Sequence, residues 1–360
     1  MRLDRGATGT RILVAAVVFM AVAGLAAIRI AGSRGTSVPV GSPVPAADAK
    51  DAPQFEGIAA WIDSVPLTIS ALHGKVVLID FWTYSCINCL RTIPGLRSLY
   101  ARYRAVGLQI VGIHSPEFDF EKVESNVRAA VKRLGVTWPV AMDNSMTTWN
   151  NYANAYWPHV YLVDRSGKIR YDHIGEGDEA ATETQVRSLL SEGSTTSLPP
   201  RVNIPEPSFA ANLTPEIYAG YEQGEQQGSI RNDDGYIKDA ALTYHGPSVA
   251  SLARASTEGG FFLEGKWLAR RQFLLAKTQA KVILPFYAKH AYAVAMSDPG
   301  SVVRILLDGQ PVTSGEEMQG GVLPVSSSRL YALVSFPSAG RHVLELDVQP
   351  GFELFTFTFG

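Results

Sequence analysis

The sequence predicts an α/β domain followed by an all-β domain. Through residues 54–193, apolar runs typical of buried strands alternate with helix-period patterns, which indicates βαβ units. Beyond residue 214, apolar and polar residues alternate with period two, which is typical of half-buried antiparallel strands. The predicted boundaries are a signal anchor at 1–31, a flexible linker at 32–53, the α/β domain at 54–193, a second linker at 194–213 and a β-sandwich or jelly roll at 214–360.

The N-terminal segment is predicted to anchor the chain in a membrane. Arg2, Arg5 and Arg11 precede an apolar run from Ile12 to Ile28, which is near the lower length limit for a membrane span. A cleaved signal peptide is the alternative, because small residues are present near the end of this run. With the basic flank in the cytoplasm, everything after the run is expected to be exported.

Composition allows two packed domains and argues against nucleic-acid binding. Apolar residues make up 46 % of the 360 residues, which is enough for substantial hydrophobic cores. The formal net charge is −2, so the chain lacks the broad basic character that attracts a phosphate backbone.

The α/β domain is predicted from local patterns. Apolar strands are expected at Val76–Trp82 and Leu108–Ile113, and a turn at Asp164–Gly167 separates two strands of a hairpin. Helices are expected over residues 90–103, 120–134 and 179–191. In the second domain, Leu344, Leu346 and Val348 share one face of a strand, and so do Phe355, Phe357 and Phe359.

Both cysteines of the chain lie in one stretch, Cys86-Ile87-Asn88-Cys89, between a predicted strand and a predicted helix. At this spacing the two sulfurs can form a disulfide with each other. A thiolate at a helix N-terminus faces unpaired N–H groups and the positive end of the helix dipole, which stabilise it. The second thiol can attack the mixed disulfide that the first one forms. So short a loop gains little stability from a disulfide, and the pair is therefore predicted to be redox-active.

Two residues of the strand before the cysteines are candidate site residues. Asp80 lies among apolar residues, where burial should raise its pKa, and it can take up and return the proton of Cys89. A carboxylate satisfied by backbone groups or water is the alternative. Trp82 is predicted to shield the disulfide and contact the substrate, and an ordinary aromatic at the edge of the core is the alternative.

Two later positions are also candidates. Pro158, preceded by Trp157, comes directly before a predicted strand. A cis peptide bond there would leave the backbone of Trp157 free to pair with a substrate, whereas a trans proline is the default from sequence. Glu117 follows the second strand. It is either an acidic residue in the first turn of a helix, with Ser115 as N-cap, or a carboxylate that tunes the potential of the dithiol.

Metal binding is the rival chemistry for the cysteines. The two thiolates could join His114 or His159 in a copper or zinc site. The sequence offers no second pair of ligands at a metal-binding spacing, and the other five histidines are scattered. No metal site is therefore predicted.

The residues around the cysteines resemble those of thioredoxins, with Asp80-Phe81-Trp82 before the Cys86-x-x-Cys89 motif and Pro94 after it. Because Gly-Pro is absent between the cysteines and an export signal comes first, the chain looks more like the TlpA/ResA group of anchored thiol reductases. Three segments are similar to the periplasmic part of DipZ-type proteins, namely residues 81–94, residues 114–118 and the C-terminal Phe357-Thr358-Phe359-Gly360. The resemblance runs from about residue 53 to the end.

This resemblance implies a thioredoxin-like fold and a thiol–disulfide oxidoreductase that acts as a reductant. It implies that Cys86 is the nucleophile, Cys89 the resolving thiol and Pro158 a cis-proline. Glu117 matches the acidic residue near the cysteines in TlpA/ResA-like domains. Ser85 departs from the aromatic or proline often found before the first cysteine. No cofactor is implied.

For the C-terminal domain, the resemblance implies a galactose-binding-like jelly roll similar to carbohydrate-binding modules. Tyr218, Tyr221, Gly265 and Trp267 match family positions there, and we expect Trp267 to lie in the core. DipZ-type proteins carry a multi-span membrane domain that delivers electrons, whereas one N-terminal span is predicted here. A separate membrane donor of the DsbD/CcdA kind is therefore the expected partner, and a carbohydrate is a candidate ligand of the β domain.

The sequence thus predicts a membrane-anchored, extracytoplasmic (periplasmic) bacterial thiol–disulfide oxidoreductase. Its expected substrates are disulfides of exported proteins, and cytochrome c maturation is one candidate role. The alternatives are a sugar- or cell-wall-binding protein with a thioredoxin-like scaffold and a Cys/His metallochaperone.

Overall fold

The computed structural model describes residues 44–201, 211–247, 252 and 259–360. The segment predicted to be a membrane anchor, 1–31, lies outside the described residues. No helix within the described ranges is long and apolar enough to span a membrane.

The first domain is a mixed sheet with helices packed on it. Its strands and α-helices, in chain order, are β1 (Ala60–Ile62), β2 (Val76–Trp82), α1 (Ile87–Tyr103), β3 (Leu108–His114), α2 (Glu124–Leu134), β4 (Val140–Met142), α3 (Thr147–Asn151), β5 (His159–Val163), β6 (Ile169–Ile174) and α4 (Glu179–Ser191).

The six strands of this sheet, counted in the described residues, lie in the order β1-β4-β3-β2-β5-β6. Strands β2, β3 and β4 are parallel, and β1, β5 and β6 run antiparallel to their neighbours. All side chains of β2 are buried, because the sheet is covered on both faces. A central strand that leads into the Cys helix, with an antiparallel hairpin at the far edge, is the thioredoxin-like fold. The predicted fold is confirmed.

Some elements differ from the prediction. The helix expected over residues 120–134 begins only at Glu124, because Asp119–Lys122 forms a 3-10 turn and Val123 is extended. Strands β1 and β4 have three residues each, and α3 has five. Elements this short do not produce a recognisable period in the sequence.

Two described parts of the predicted linkers, residues 44–53 and 194–201, are attached to the first domain, whereas Leu213 packs against the core of the β domain. The N–H of Val44 donates to the carbonyl of Arg170 at 2.8 Å, and the N–H of Ile169 donates to that of Lys50 at 2.8 Å. Arg187 likewise donates to the carbonyl of Pro199 at 2.6 Å. Backbone carbonyls and N–H groups make most of these bonds. Every residue carries a backbone carbonyl, so the composition of a segment does not show whether such bonds form.

The second domain is antiparallel. Its elements are β7 (Ile217–Tyr218), α5 (Tyr221–Gln227), β8 (Ala241–Tyr244), β9 (Phe262–Ala269), β10 (Leu274–Ala276), β11 (Ala280–Met296), β12 (Val302–Leu307), β13 (Gln310–Pro311), β14 (Leu323–Pro324), β15 (Arg329–Val348) and β16 (Glu353–Phe359).

Long strands hold this domain together. Strand β11 pairs with β15 along most of its length, with β9 near its start and with β16 near its end. Strand β10 joins β9 to β16, so these strands close into a ring around a large apolar core. Apart from the short helix α5, the described part of this domain is built on strands, and the predicted all-β domain is confirmed.

The two domains pack against each other through an apolar junction. Ile87 and Phe118 of the first domain cluster there with Val294, Leu330 and Phe355 of the second. Phe355 was predicted to share a face with Phe357, which lies in the core of the β domain. The register between β11 and β16 shifts at this point, and such a bulge turns a side chain to the other face of its strand.

Candidate active site

The alternation of side chains along β2 places the site residues. Val77, Ile79 and Phe81 lie in one core of the first domain. Val76, Leu78 and Trp82 lie in the other, which also contains Cys89. Because alternate residues of a strand face the same side, Asp80 belongs to the face that carries Cys89.

The cysteines lie where β2 passes into α1. Cys86 is the N-cap of α1, and its Sγ accepts the N–H of Cys89 at 3.4 Å. Both cysteines are free thiols, with Cys86 partly exposed and Cys89 0 % exposed. A donor N–H directed at Sγ stabilises negative charge on that sulfur. The arrangement therefore provides a sulfur that can meet a substrate and a second sulfur held behind it.

The buried thiol needs help to react. Burial raises the pKa of Cys89 well above its usual range, and its contacts with Cys86 and the charge of Asp80 raise it further. Cys89 therefore keeps its proton at neutral pH unless a base removes it.

Asp80 is suited to be that base. Its side chain is 1 % exposed, and within the described residues its Oδ1 has no hydrogen-bond partner. Burial raises the pKa of this carboxyl to about 7. Asp80 can therefore take up and release a proton near neutral pH, and its charge acts on Cys89.

Trp82 is buried beneath the site and does not lie open over the sulfurs. Its side chain is 1 % exposed, and its ring meets the ring of His114 edge-on at 5.4 Å. A Cβ at Gly112 would lie 2.9 Å from the indole nitrogen of Trp82, so only a glycine leaves room for this ring. The structure thus corrects the prediction that Trp82 contacts the substrate, because packing in the core leaves it no accessible face.

The peptide bond between Trp157 and Pro158 is cis, as the resemblance implied. Strand β5 begins at the next residue, His159, which pairs with Phe81. Trp157 and Pro158 therefore precede β5 at the end of the sheet where β2 leads into Cys86. The partly buried indole of Trp157 donates to the carbonyl of Ser115 at 3.0 Å, which fixes the ring.

Glu117 does not lie in the first turn of a helix, because the chain from Ser115 to Phe118 is a loop. Burial raises its pKa well above the usual range, and the charges of Glu216 and Glu121 raise it further. The hydroxyl of Tyr218, from the β domain, donates to its Oε1. The side chain of Glu117 is thus held by a residue of the other domain, and its backbone N–H donates to Glu121 in the loop after β3.

Glu121 is a site residue that sequence reasoning missed. Its side chain is completely buried, and its Oε1 accepts the hydroxyls of Ser85, at 2.6 Å, and of Thr83. Its Oε2 accepts the N–H groups of Glu117, at 2.7 Å, and Phe118, at 2.9 Å. One carboxylate therefore ties the turn before Cys86 to the loop after β3.

The two histidines considered as metal ligands lie in different surroundings, one packed against aromatic rings and one hydrogen-bonded. His114 stacks on Tyr84 with ring centroids 5.5 Å apart, and burial lowers its pKa to about 3. The ring nitrogens of His159 contact Asn154 at 2.5 Å and Asp172 at 3.0 Å. In the ranges that the structure describes, no group of three or more His, Cys, Asp or Glu side chains could hold a metal ion.

The residues of the β domain that match family positions have structural contacts. Trp267 is fully buried, as expected, and its indole donates to the carbonyl of Glu264 at 3.0 Å. A Cβ at Gly265 would lie 3.0 Å from Ala280. The hydroxyl of Tyr221 donates to Asp239 at 3.0 Å. None of these contacts indicates a sugar site.

Comparison with known proteins finds relatives that match most of the chain and a family model for each of its two domains. The protein DipZ of Mycobacterium tuberculosis is 36 % identical over 325 residues, which are 86 % of this chain and 43 % of that protein, and the figures are the same for DipZ of Mycobacterium bovis. The chain thus spans less than half the length of these relatives. The thiol-disulfide oxidoreductase ResA of Bacillus anthracis is 26 % identical over 140 residues, 39 % of this chain and 77 % of that protein.

Among solved structures, a thiol:disulfide interchange protein of the thioredoxin family from Chlorobium tepidum matches 40 % of this chain and 97 % of its own. The identity is 24 % and the TM-score 0.35. Family models match residues 40–190, described as Redoxin, and residues 214–360, described as Thioredoxin like C-terminal domain. Residues 40–190 are thus similar to the redoxin family, and residues 214–360 are similar to the family of thioredoxin-like C-terminal domains.

Proposed function

We propose that this chain is a thiol–disulfide oxidoreductase whose redox-active pair is Cys86 and Cys89. The observation that carries the proposal is the placement of the two sulfurs. Cys86 is partly exposed at the N-terminus of α1, and Cys89 is buried behind it on the face that carries Asp80. The match to ResA, which is named a thiol-disulfide oxidoreductase, supports the same chemistry.

In the proposed reaction, the thiolate of Cys86 attacks one sulfur of a substrate disulfide. A mixed disulfide forms, and the first substrate thiolate leaves. Asp80 then takes the proton of Cys89, whose sulfur attacks Cys86 and displaces the second substrate thiolate. Two electrons have passed to the substrate, and the chain holds a Cys86–Cys89 disulfide that an external dithiol must reduce.

Reduction of insulin disulfides by dithiothreitol tests this proposal. The parent chain is expected to accelerate the reaction, whereas Cys86→Ser should abolish the acceleration because it removes the attacking sulfur. Cys89→Ser should slow turnover, because dithiothreitol must then resolve the mixed disulfide in place of Cys89. Equal acceleration by the parent and by Cys86→Ser would contradict the proposal.

We also propose that the chain is anchored in the bacterial cytoplasmic membrane and works as a reductant outside the cytoplasm. The apolar run from Ile12 to Ile28 behind Arg2, Arg5 and Arg11 supports this location. The proposed electron donor is a membrane protein of the DsbD/CcdA kind, and apocytochrome c is a candidate substrate. Recovery of the full-length chain in the membrane fraction, with Cys86 accessible to an impermeant thiol reagent from outside, is the expected result. A chain found only in the cytoplasm would contradict it.

A further inference from the structure

The β domain touches the redox motif itself. Ile87, which lies between the two cysteines, is 8 % exposed because it packs into the apolar junction with Phe355, Val294 and Leu330. Leu90, in the first turn of α1, packs against the same cluster. The β domain therefore packs directly against the first turn of the Cys helix.

Tyr218 brings a polar group of the β domain to the same place. Its ring packs against the junction cluster and lies 6.4 Å from the ring of Phe118. Its hydroxyl donates to Oε1 of Glu117 and lies 3.4 Å from Oε2 of Glu216. The hydroxyl is thus shared between a carboxylate of each domain.

The carboxylate that Tyr218 holds is connected to the residues around Cys86. The N–H of Glu117 donates to Glu121, and Glu121 accepts the hydroxyl of Ser85, the residue before Cys86. Burial and the charges of Glu117 and Glu216 raise the pKa of Tyr218, and the charge of Cys86 adds to this effect. Tyr218 and the sulfur are therefore close enough to interact electrostatically.

We propose that Tyr218 is a positioning residue of the redox site, through which the β domain holds the carboxylate of Glu117 near the Cys86–Cys89 pair. This role rests on the proposed function. The hydrogen bond from Tyr218 opposes the effect of burial on the pKa of Glu117 and so favours the ionised form of this carboxyl. Negative charge on Glu117 repels the negative charge that the sulfur pair gains on reduction, and so favours the disulfide over the dithiol. Tyr218 thereby makes the pair a stronger reductant.

The matched test compares Tyr218→Phe with Tyr221→Phe. Both changes remove a hydroxyl that donates to a carboxylate, but the bond of Tyr221 is to Asp239, on the exposed surface. The equilibrium constant of the full chain with a glutathione redox buffer is measured at about pH 8, by alkylation of the thiols and mass spectrometry. Tyr218→Phe should shift the equilibrium towards the dithiol by about fivefold, the effect of weakening one nearby charge at a partly exposed site. Tyr221→Phe should leave it unchanged.

A double-mutant cycle shows whether Tyr218 acts through Glu117. Glu117→Gln should shift the equilibrium in the same direction as Tyr218→Phe, and adding Tyr218→Phe to Glu117→Gln should produce no further shift. If Tyr218→Phe folds poorly, Glu117→Gln still tests the proposal, because an unshifted equilibrium would show that the held carboxylate has no effect.

Two results would overturn the proposal. One is that neither Tyr218→Phe nor Tyr221→Phe changes the equilibrium constant. The other is that the shifts caused by Tyr218→Phe and by Glu117→Gln add fully in the double variant. A parent chain whose cysteines do not equilibrate with glutathione at all would instead contradict the proposed function. The two failures are therefore distinguishable.

Discussion

The carboxylate of Glu121 accepts a hydrogen bond of 2.6 Å from the hydroxyl of Ser85, the residue directly before Cys86. Because the same carboxylate also accepts two backbone N–H groups from the loop after β3, it fixes the turn from which the redox helix begins. A carboxylate is rarely buried without such a set of donors, since the desolvation of an unpaired charge is costly.

Glu121→Gln should destabilise the protein strongly. The amide has one acceptor oxygen, so some of the donors that now reach Glu121 would stay buried without a partner. The expected loss in the free energy of unfolding is about 2–4 kcal/mol, measured by urea denaturation. Glu124→Gln is the matched control, because Glu124 is exposed and pairs with Arg128 at 2.7 Å, and it should cost less than about 0.5 kcal/mol. Equal losses in both variants would contradict this role of Glu121.

Asp80→Asn should stabilise the protein in a pH-dependent way. In the folded chain burial raises the pKa of Asp80 from 3.8 to about 7, so ionisation of the native state costs free energy. Below about pH 4 the parent should therefore have the same free energy of unfolding as Asp80→Asn. As the pH rises through 7, the parent loses free energy of unfolding relative to the variant. At pH 8 the variant should be more stable by up to about 4 kcal/mol, and below pH 4 the two should be equal.

Denaturant unfolding between pH 4 and pH 9 measures this difference. Asp233→Asn, at an exposed position of the β domain, is the control and should leave the curve of stability against pH unchanged. A stability difference for Asp80→Asn that does not vary with pH would show that the buried carboxyl has an ordinary pKa.

The same substitution should slow disulfide exchange at alkaline pH. Above about pH 7 the ionised Asp80 can remove the proton of Cys89, and an amide cannot. The expected loss in the rate of insulin reduction at pH 8 is on the order of tenfold to a hundredfold, and it should shrink below pH 6, where Asp80 is protonated. Equal rates of parent and variant across this range would remove Asp80 from the proton transfer.

Phe355→Ala should weaken the junction between the domains. Phe355 is buried against Phe118 and Phe120, with ring centroids 5.3 and 4.8 Å apart, so its removal leaves a cavity beside the first turn of α1. A loss of about 3 kcal/mol in the free energy of unfolding is expected. Ile237→Ala, at a side chain that is 44 % exposed, should cost far less. A loss for Phe355→Ala no greater than this control would contradict the packing role.

Local patterns in the sequence predicted the parts of the fold whose signals are local. Strand β2 and helix α4 have the predicted limits, because a continuous apolar run and a helical period are both visible within about ten residues. Asp80 was recognisable as a site residue for the same reason, since a carboxylate inside an apolar strand is unusual. Pro158 needed the family resemblance, because the sequence does not distinguish a cis from a trans proline.

Long-range contacts explain what the sequence could not predict. Glu121 looks like an ordinary acidic residue at the beginning of a helix, and its partner Ser85 lies 36 residues away. Tyr218 reaches Glu117 across 101 residues. Trp82 was expected near the substrate because it precedes the cysteines, yet a strand that is buried on both faces hides it. The face of Phe355 depends on a register shift, which only strand pairing reveals.

Trapping the mixed disulfide shows whether Cys86 is the sulfur that attacks the substrate. Cys89→Ser is incubated with a peptide made of two identical chains joined by one disulfide, and the products are measured by mass spectrometry without reducing agent. We expect a stable adduct in which Cys86 carries one of the two peptide chains, and no adduct for Cys86→Ser, whose remaining sulfur is buried. An adduct on Cys89 that forms as readily as the one on Cys86, or no adduct in either variant, would contradict this role of Cys86.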